Sequence, residues 1–161
     1  MERLYPDLAD LQDKPYMKEL IADTGAVLMG RRTFYMGDPD SYADGYEFQV
    51  PIFVVTHQPP ERHPKGNGRI SFTFVTEGVG AAVKMAVAAA KQRNVVVVGG
   101  ANLTMQLFRA NLVDELHVDV MPVFLGGGLR FWSPDVEHVR LETIGVSREG
   151  ERITLKYRVL R

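Results

Sequence analysis

The amino-acid sequence predicts an α/β fold, with a mostly parallel central sheet and an antiparallel hairpin at its C-terminal end. Three observations support this prediction. Apolar runs typical of strands alternate with helical patterns along most of the chain. The run 51–56 is continuously apolar, as in strands that helices cover on both faces, and 94–98 is the most apolar run of all. Two final segments, 136–146 and 152–160, flank a turn of sequence Arg-Glu-Gly-Glu and are expected to form the hairpin.

The first helix is predicted over 14–23, where four apolar residues recur at helical spacing. Pro15 suits the first turn of that helix, because its missing N–H would have no partner there in any case. Gly25 is expected to end the helix as a C-terminal glycine. A short strand over 26–29 follows and stops at Gly30.

The rest of the chain continues the alternation. Strands are predicted over 51–56, 71–76, 94–98 and 112–120, and helices over 78–93 and 101–110. Between the first two of these strands, 61–69 carries two glycines and a proline and is expected to be an exposed loop. The strand 112–120 alternates apolar and polar residues and therefore has one wetter face. By contrast, 94–98 is the most apolar strand and is expected to be buried.

Length and composition restrict the class of protein. The chain has 161 residues, of which 45% are hydrophobic, so one globular domain over 1–161 is expected. By the scaling of surface with mass, such a chain exposes about 8,000 Å² when folded. With 19 Lys and Arg residues against 20 Asp and Glu residues, it lacks the basic surplus of a nucleic-acid-binding protein.

Two further features of the composition bear on location and metal chemistry. The absence of cysteine excludes disulfides, a thiol nucleophile and cysteine-ligated metal centres, and it fits a cytoplasmic protein. No apolar run approaches the roughly 20 residues that span a bilayer. The four histidines lack the spacing of metal ligands, so no metal is expected.

The first segment that could bind a ligand is 29–34, Met-Gly-Arg-Arg-Thr-Phe, where a strand ends at a glycine and a helix is expected to begin at once. A helix N-terminus offers unpaired N–H groups and the positive end of the helix dipole, which suits a phosphate. Arg31 and Arg32 add fixed charge and forked donors, and Thr33 adds a hydroxyl. A solvated basic turn with a capping threonine is an equal alternative.

Two other strand ends carry comparable turns. The strand 94–98 runs into Gly99-Gly100, where a ligand can approach the backbone closely, although a tight strand-to-helix turn is the better explanation of this pair taken alone. The strand 51–56 ends at Thr56, followed by His57 and Gln58. In open α/β sheets, ligands gather beyond the carboxyl ends of the strands. The three turns together predict a site for a phosphorylated dinucleotide.

The triple glycine 126–128 is a candidate for a loop on the substrate side of such a site. Glycines in series permit unusual backbone angles or close approach to a ligand. A plain bend before the last hairpin is at least as good an explanation.

Three segments in order, MGRRTF at 29–34, VVT at 54–56 and VVVVGGANLTMQLFRANLVDELHVDVMPVFLGGG at 95–128, resemble the dihydrofolate-reductase-like family. The closer likeness is to the C-terminal reductase domain of the bifunctional riboflavin-biosynthesis deaminase-reductase and to its stand-alone relatives. The likeness covers residues 15 to about 132, and it extends to the final hairpin through the pattern of predicted strands. The resemblance implies a three-layer dihydrofolate-reductase-like fold and a homodimer.

The resemblance also implies NADPH as cofactor and hydride transfer to a pterin-like or ribosylamino-pyrimidine-like small molecule, as in dihydrofolate reductase or 5-amino-6-(5-phosphoribosylamino)uracil reductase. The residues that would hold the cofactor fall into three groups. They are Gly30, Arg31, Arg32 and Thr33 at its phosphates, with arginine favouring the 2′-phosphate; Thr56, His57 and Gln58 at the adenosine ribose; and Gly99, Gly100, Ala101, Asn102 and Leu103 at the pyrophosphate. The bond between Gly99 and Gly100 is expected to be cis. Leu125, Gly126 and Gly127 would lie on the substrate side.

One departure from the family pattern affects the substrate side. Relatives open with a strand that carries a Ser-x-Asp-Gly segment near the nicotinamide, whereas 1–5 of this chain begins where that strand would be over. The sheet is therefore expected to lack a central strand, and the site is expected to lack part of its wall. The family places a substrate-side acid early in the fold, for which Asp13 is the one candidate.

Two functions of other classes compete with the reductase. The chain could be a nucleotide-binding or scaffold module that keeps the phosphate site without turnover. It could also be a purely structural homodimer that buries Phe131, Trp132 and the final hairpin.

Overall fold

The computed structural model describes residues 12–134, 136 and 138–161, in which helices and strands alternate as predicted. The helices are α1 (Pro15–Asp23), α2 (Arg31–Phe34), α3 (Tyr42–Gly45), α4 (Val79–Ala90) and α5 (Ala101–Arg109), and a 3-10 turn spans Pro39–Ser41. The strands are β1 (Thr24–Gly30), β2 (Ile52–Val55), β3 (Phe72–Val75), β4 (Asn94–Val97), β5 (Glu115–Val120), β6 (Arg140–Glu149) and β7 (Arg152–Leu160). The predicted α/β class is confirmed.

Four parallel strands form the first sheet, in the order β3-β2-β1-β4. The central strand β1 is buried along nearly its whole length, because helices pack on both faces of the sheet. One face meets α1 and α2 through Met17 and Phe34. The other meets α4 and α5 through residues such as Ala86 and Leu107. Because the four strands are parallel, their carboxyl ends lie at one edge of the sheet.

Gly25 has a different role from the one predicted. The helix α1 ends at Asp23, where the Thr24 hydroxyl donates to the Leu20 carbonyl oxygen at 2.6 Å, and Gly25 lies inside β1. It is glycine because α4 crosses β1 closely: a Cβ at this position would clash with the backbone of Ala90. The requirement comes from packing between α4 and β1 and not from a helix end.

The second sheet is antiparallel, in the order β5-β7-β6, and contains the predicted hairpin. Gly150 turns the chain between β6 and β7 with a φ of +56°. The strand β6 begins at Arg140, later than predicted, and continues to Glu149. Phe108 of α5 packs against Trp132, with ring centroids 5.1 Å apart, in a small core beside this sheet.

The position of β4 corrects the prediction that this strand is buried. Among the strands that the structure describes, β4 lies at the edge of the parallel sheet and pairs only with β1, and Val97 is 37% exposed. Likewise β5 lies at an edge of the antiparallel sheet, and among the described residues no strand joins β4 to β5. We call the space between these two strand edges the gap.

The segment before β2 has local structure that the sequence patterns did not predict. Asp38 caps the 3-10 turn by accepting from the Asp40 N–H at 3.1 Å. Asp40 in turn accepts from Arg62 at 2.8 Å and from the Lys65 N–H at 3.0 Å. These bonds attach the largely exposed loop 61–69 to the turn.

Candidate functional site

The three turns predicted to form one site lie at the same edge of the parallel sheet. Gly30 ends β1 opposite Val55 of β2, and Thr56 follows directly. On the other side of β1, the Gly30 N–H donates to the Gly99 carbonyl oxygen at 3.4 Å. The structure therefore brings Gly30, Thr56 and Gly99 together along a single edge, as the sequence predicted. We call this group, with Arg31, Thr33 and Gly100, the strand-end cradle.

The turn from β1 into α2 presents two arginines to solvent. Gly30 is extended, with φ −84° and ψ 158°, and α2 begins at Arg31 but completes only one turn. Buried Phe34 anchors that turn in the core, whereas Arg31 and Arg32 are exposed. The Arg31 guanidinium lies 5.8 Å from the centre of the Tyr35 ring, which orients it across the turn.

Gly99 and Gly100 form the floor of the cradle, and the bond between them is cis, as expected. Thr33 lies next to both glycines: its Oγ1 would be 3.8 Å from a Cβ on Gly99 and 3.7 Å from a Cβ on Gly100. The helix α5 starts immediately after Gly100, whose carbonyl oxygen accepts from the Thr104 N–H at 3.1 Å. The N-terminal end of a nine-residue helix thus opens at the cradle, with its positive dipole end and free N–H groups.

The α5 residues that were predicted to contact the cofactor differ in how far they are exposed. Asn102 is exposed, and its Oδ1 accepts from Gln106 Nε2 at 2.6 Å. Ala101 is half-buried. Leu103 is only 4% exposed and packs beneath Gly30, in the core formed by α4, α5 and β1. Its side chain supports the β1 turn and is not available to a ligand.

Thr56 shapes the loop after β2. It is 6% exposed, its Oγ1 donates to the Gln58 carbonyl oxygen at 2.9 Å, and the same oxygen accepts from the Gln58 N–H at 3.1 Å. Its hydroxyl is therefore already engaged within the turn. The side chains of His57 and Gln58 are exposed and remain accessible at this edge.

One carboxylate near the edge was not singled out from the sequence. Glu77 follows β3, and its Oε2 accepts from the Thr76 N–H at 2.8 Å. Hydrogen bonds from its own backbone N–H, and then from Thr76, hold the pKa of Glu77 below its ordinary value. Arg31 and Arg32 therefore follow β1, and the Glu77 carboxylate follows β3, at the same edge of the sheet.

The predicted substrate-side residues lie in exposed parts of the chain. Leu125 is 60% exposed in the loop after β5, and a Cβ on Gly126 or Gly127 would meet open space. Of these two glycines, Gly126 has a φ of +72° and needs the conformational freedom of glycine. The carboxylate of Asp13 is 86% exposed and lies 3.4 Å from Lys18 Nζ.

A buried polar cluster beside the gap was also missed by sequence reasoning. Arg152 of β7 is 1% exposed and donates to the Tyr16 hydroxyl of α1. Its Nε lies 3.9 Å from Asp119 Oδ2, and Thr154 donates to Asp119 Oδ1 at 2.7 Å. The cluster joins α1 to the antiparallel sheet. The alternation of β7 puts Arg152 and Thr154 on one face, but only the fold shows that Tyr16 meets them.

Two kinds of feature are absent from the described residues. None of their helices combines the length and the apolar character that crossing a membrane requires. No three of their histidines and carboxylates converge as a metal site would need.

Sequence comparison gives one family match and one similar protein. The profile of the RibD C-terminal domain matches residues 5–155. The chain is also 28% identical over 85 residues to the uncharacterized protein YwjB of Bacillus subtilis. That alignment covers 53% of this chain and 48% of YwjB, so it spans about half the length of the Bacillus protein.

Solved structures share the fold at low sequence identity. A putative riboflavin biosynthesis protein from Shewanella superposes with a TM-score of 0.72 and 19% identity, covering 92% of this chain and 81% of that protein. The riboflavin biosynthesis reductase Rib7 of Saccharomyces cerevisiae gives 0.58 and 17%, covering 98% and 81%. Dihydrofolate reductase from Enterococcus faecalis, solved with NADP(H), gives 0.55 and 17%, covering 89% and 80%. The fold is dihydrofolate-reductase-like, and the chain belongs to the RibD C-terminal domain family.

Proposed function

We propose that this protein is an NADPH-dependent reductase that transfers a hydride to a ribosylamino-pyrimidine-like or pterin-like small molecule. The observation that carries the proposal is the strand-end cradle, in which a basic turn, a glycine pair and a helix N-terminus meet at one sheet edge. Family membership supports a reductase-type function. Rib7 and the NADP(H)-bound dihydrofolate reductase, which share the fold, support a nicotinamide cofactor.

The cradle fits the anionic part of this cofactor. Gly99 and Gly100 leave open the space beside Thr33 that side chains would fill, so a pyrophosphate can approach the backbone there. The N-terminus of α5 supplies N–H donors and a favourable dipole for it. Arg31 and Arg32 supply forked cationic donors suited to the 2′-phosphate, while His57 and Gln58 line the ribose end. The nicotinamide supplies the hydride when bound; the chain supplies position and electrostatics.

Replacing both arginines tests the proposal. The double variant Arg31→Ala/Arg32→Ala should weaken NADPH binding by at least about tenfold, since even one lost charge-assisted hydrogen bond costs roughly 1.5–3 kcal/mol. NADH, which has no 2′-phosphate, should lose much less. Nicotinamide fluorescence measures both affinities, and Arg140→Ala, on exposed β6, is the matched control. Equal losses for the two cofactors would mean that these arginines do not recognise the 2′-phosphate.

A nucleotide-binding module without turnover is the second candidate. Among the described residues no strand joins β4 to β5, and a substrate side that is incomplete at this point would favour the module. NADPH oxidation across a panel of pterins and ribosylamino-pyrimidines separates the two functions. Tight NADPH binding with no oxidation of any substrate would support the module.

We also propose that the protein is a homodimer. Apolar side chains are exposed both in the loop between β5 and β6 and on the antiparallel sheet itself. They include Phe124 and Leu129 of the loop and Val146 of β6. Such side chains favour burial against a second copy. Trp132, by contrast, is half-buried on Phe108 within one chain. Sedimentation equilibrium should give twice the chain mass, and a monomer at all concentrations would refute the dimer.

A further inference from the structure

We propose that Asn67 is a modification site, at which the folded loop 61–69 holds off spontaneous deamidation and from which the loop is released once deamidation has occurred. The reaction needs no enzyme and no second chain, and the proposal does not depend on the strand-end cradle. Three observations carry it: the residue that follows Asn67, the hydrogen bonds that hold its side-chain amide, and the two acceptors that face this amide.

The residue that follows Asn67 makes this asparagine reactive. Of the asparagines in the chain, which stand at 67, 94, 102 and 111, only Asn67 is followed by glycine. Asparagine is a thermolabile residue, and glycine has no side chain to obstruct an approach to its own backbone nitrogen. Deamidation at this pair therefore depends on whether the Gly68 nitrogen can reach the Asn67 side chain.

The reaction has two steps, neither of which needs an oxidant or a reductant. In the first, the Gly68 backbone nitrogen bonds to Cγ of Asn67 and gives up its proton, the Cγ–Nδ2 bond breaks, and Nδ2 leaves as ammonia. In the second, water opens the resulting five-membered imide at one of its two carbonyl groups. The product is aspartate or isoaspartate, and in both the neutral amide has become a carboxylate.

Four hydrogen bonds hold the amide in the folded loop. Asn67 Nδ2 donates to the Ala43 carbonyl oxygen of α3 at 2.5 Å and to Gln49 Oε1 at 2.7 Å. Asn67 Oδ1 accepts from the Arg69 N–H at 3.0 Å and from the Ile70 N–H at 2.8 Å. Because both ends of the amide are engaged, Cγ cannot turn toward the next backbone nitrogen without breaking these bonds.

The backbone around Asn67 is equally constrained. The Asn67 N–H donates to the Ile70 carbonyl oxygen at 3.2 Å, and Gly68 has a φ of +84°. A Cβ on Gly66 would lie only 2.7 Å from the same Ile70 oxygen. Ring closure therefore requires the loop to open, and its rate should follow the fraction of chains in which the loop is open.

The product cannot restore the contact with α3. A carboxylate still accepts from the N–H groups of Arg69 and Ile70, but it has no N–H to donate. It would instead face two acceptors, the Ala43 carbonyl oxygen and Gln49 Oε1. Gln49 is not free to rotate its amide, because its Nε2 donates to the Tyr46 carbonyl oxygen at 2.8 Å. An attachment between the loop and α3 thus becomes a repulsion.

The first experiment measures the rate of deamidation at Asn67 in the full chain, by mass-spectrometric peptide mapping at mildly alkaline pH. Native protein is compared with the same protein unfolded in guanidinium chloride. The native rate should be at least about tenfold lower, since the net cost of breaking several hydrogen bonds makes the open loop rare. A native rate equal to or above the unfolded rate would overturn the proposal.

A pair of variants then tests whether the bonds to the amide are responsible. Gln49→Ala removes an acceptor of Asn67 Nδ2 and should raise the native rate severalfold, without changing the rate in guanidinium chloride. Gln106→Ala is the matched control: it removes a similar bond, from Gln106 Nε2 to Asn102 Oδ1 at 2.6 Å, in another part of the fold. An equal native rate in both variants would show that this bond does not protect Asn67.

Limited proteolysis tests the release of the loop. Trypsin cleaves after Arg62 and Lys65, which both lie in the loop. Asn67→Asp, and wild-type protein deamidated by storage, should be cut there several times faster than fresh wild type. Cleavage after Lys91, in the exposed turn that follows α4, should not change and is the internal control. Unchanged cleavage of the loop in Asn67→Asp would show that the carboxylate does not release it.

Discussion

At the residue scale, glycine identity has three separate causes in this chain. Gly25 is required because α4 passes close to β1, and Gly100 borders the space beside Thr33. Gly126 has a left-handed backbone in an open loop. The sequence shows glycine at all of these positions, but only the packing shows what each would contact. That is why Gly25 was predicted to end a helix although it lies inside a strand.

Gly25→Ala should destabilise the protein by about 2–4 kcal/mol, because the new methyl group would force β1 and α4 apart. Urea unfolding measures the free energy. Gly45→Ala is the control, since a Cβ there meets nothing within 4 Å. A change of a few tenths of a kcal/mol at Gly25 would show that the two elements separate easily.

Gly100→Ala should keep the fold and weaken NADPH binding by about tenfold, because its methyl group would occupy the space beside Thr33. Isothermal titration measures the affinity, and circular dichroism checks the fold. Gly127→Ala, which adds a methyl group in open space, should behave as the wild type. Unchanged affinity in the first variant would mean that the ligand does not approach this glycine.

At the element scale, periodicity predicted most helices and strands, while tertiary contacts decided what it missed. The short α2 was expected from the Gly30 turn, but its one-turn length depends on how Phe34 enters the core. The 3-10 turn at Pro39–Ser41 owes its attachment to Arg62 and Lys65, more than 20 residues away along the chain. Such long-range bonds leave no local pattern in the sequence.

The bonds of Asp40 should make the stability of the protein depend on pH. The Arg62 guanidinium, followed by the Lys65 N–H, holds the pKa of Asp40 below its ordinary value of 3.8. A carboxylate with a depressed folded-state pKa stabilises the fold above its unfolded pKa, and this contribution is lost as the pH falls through the folded value. Asp40→Asn should therefore be less stable than the wild type at pH 6, and the difference should shrink below pH 3.8.

Urea unfolding between pH 3 and 7 measures this difference. Asp44→Asn, at an exposed carboxylate on α3, is the matched control. A difference between Asp40→Asn and the wild type that stays constant across this range would assign the effect to something other than titration of Asp40.

At the scale of the whole molecule, the same physics that predicted the strand-end cradle could not predict that β4 lies at a sheet edge. Carboxyl ends of parallel strands meet at one edge, so the turns at Gly30, Thr56 and Gly99 could be placed together from sequence. The order of strands depends on long-range pairing. The run 94–98 was predicted to be buried from its composition alone, yet β4 has only one neighbour among the described strands.

The measurement that most directly tests the central claim is a map of amide chemical-shift changes on titration with NADPH. We expect the largest changes at Gly30, Arg31, His57, Gly99 and Gly100, with little change along β6 and β7. A titration that moves no amides, or moves those of the antiparallel sheet instead, would contradict the assignment of the strand-end cradle as the cofactor site.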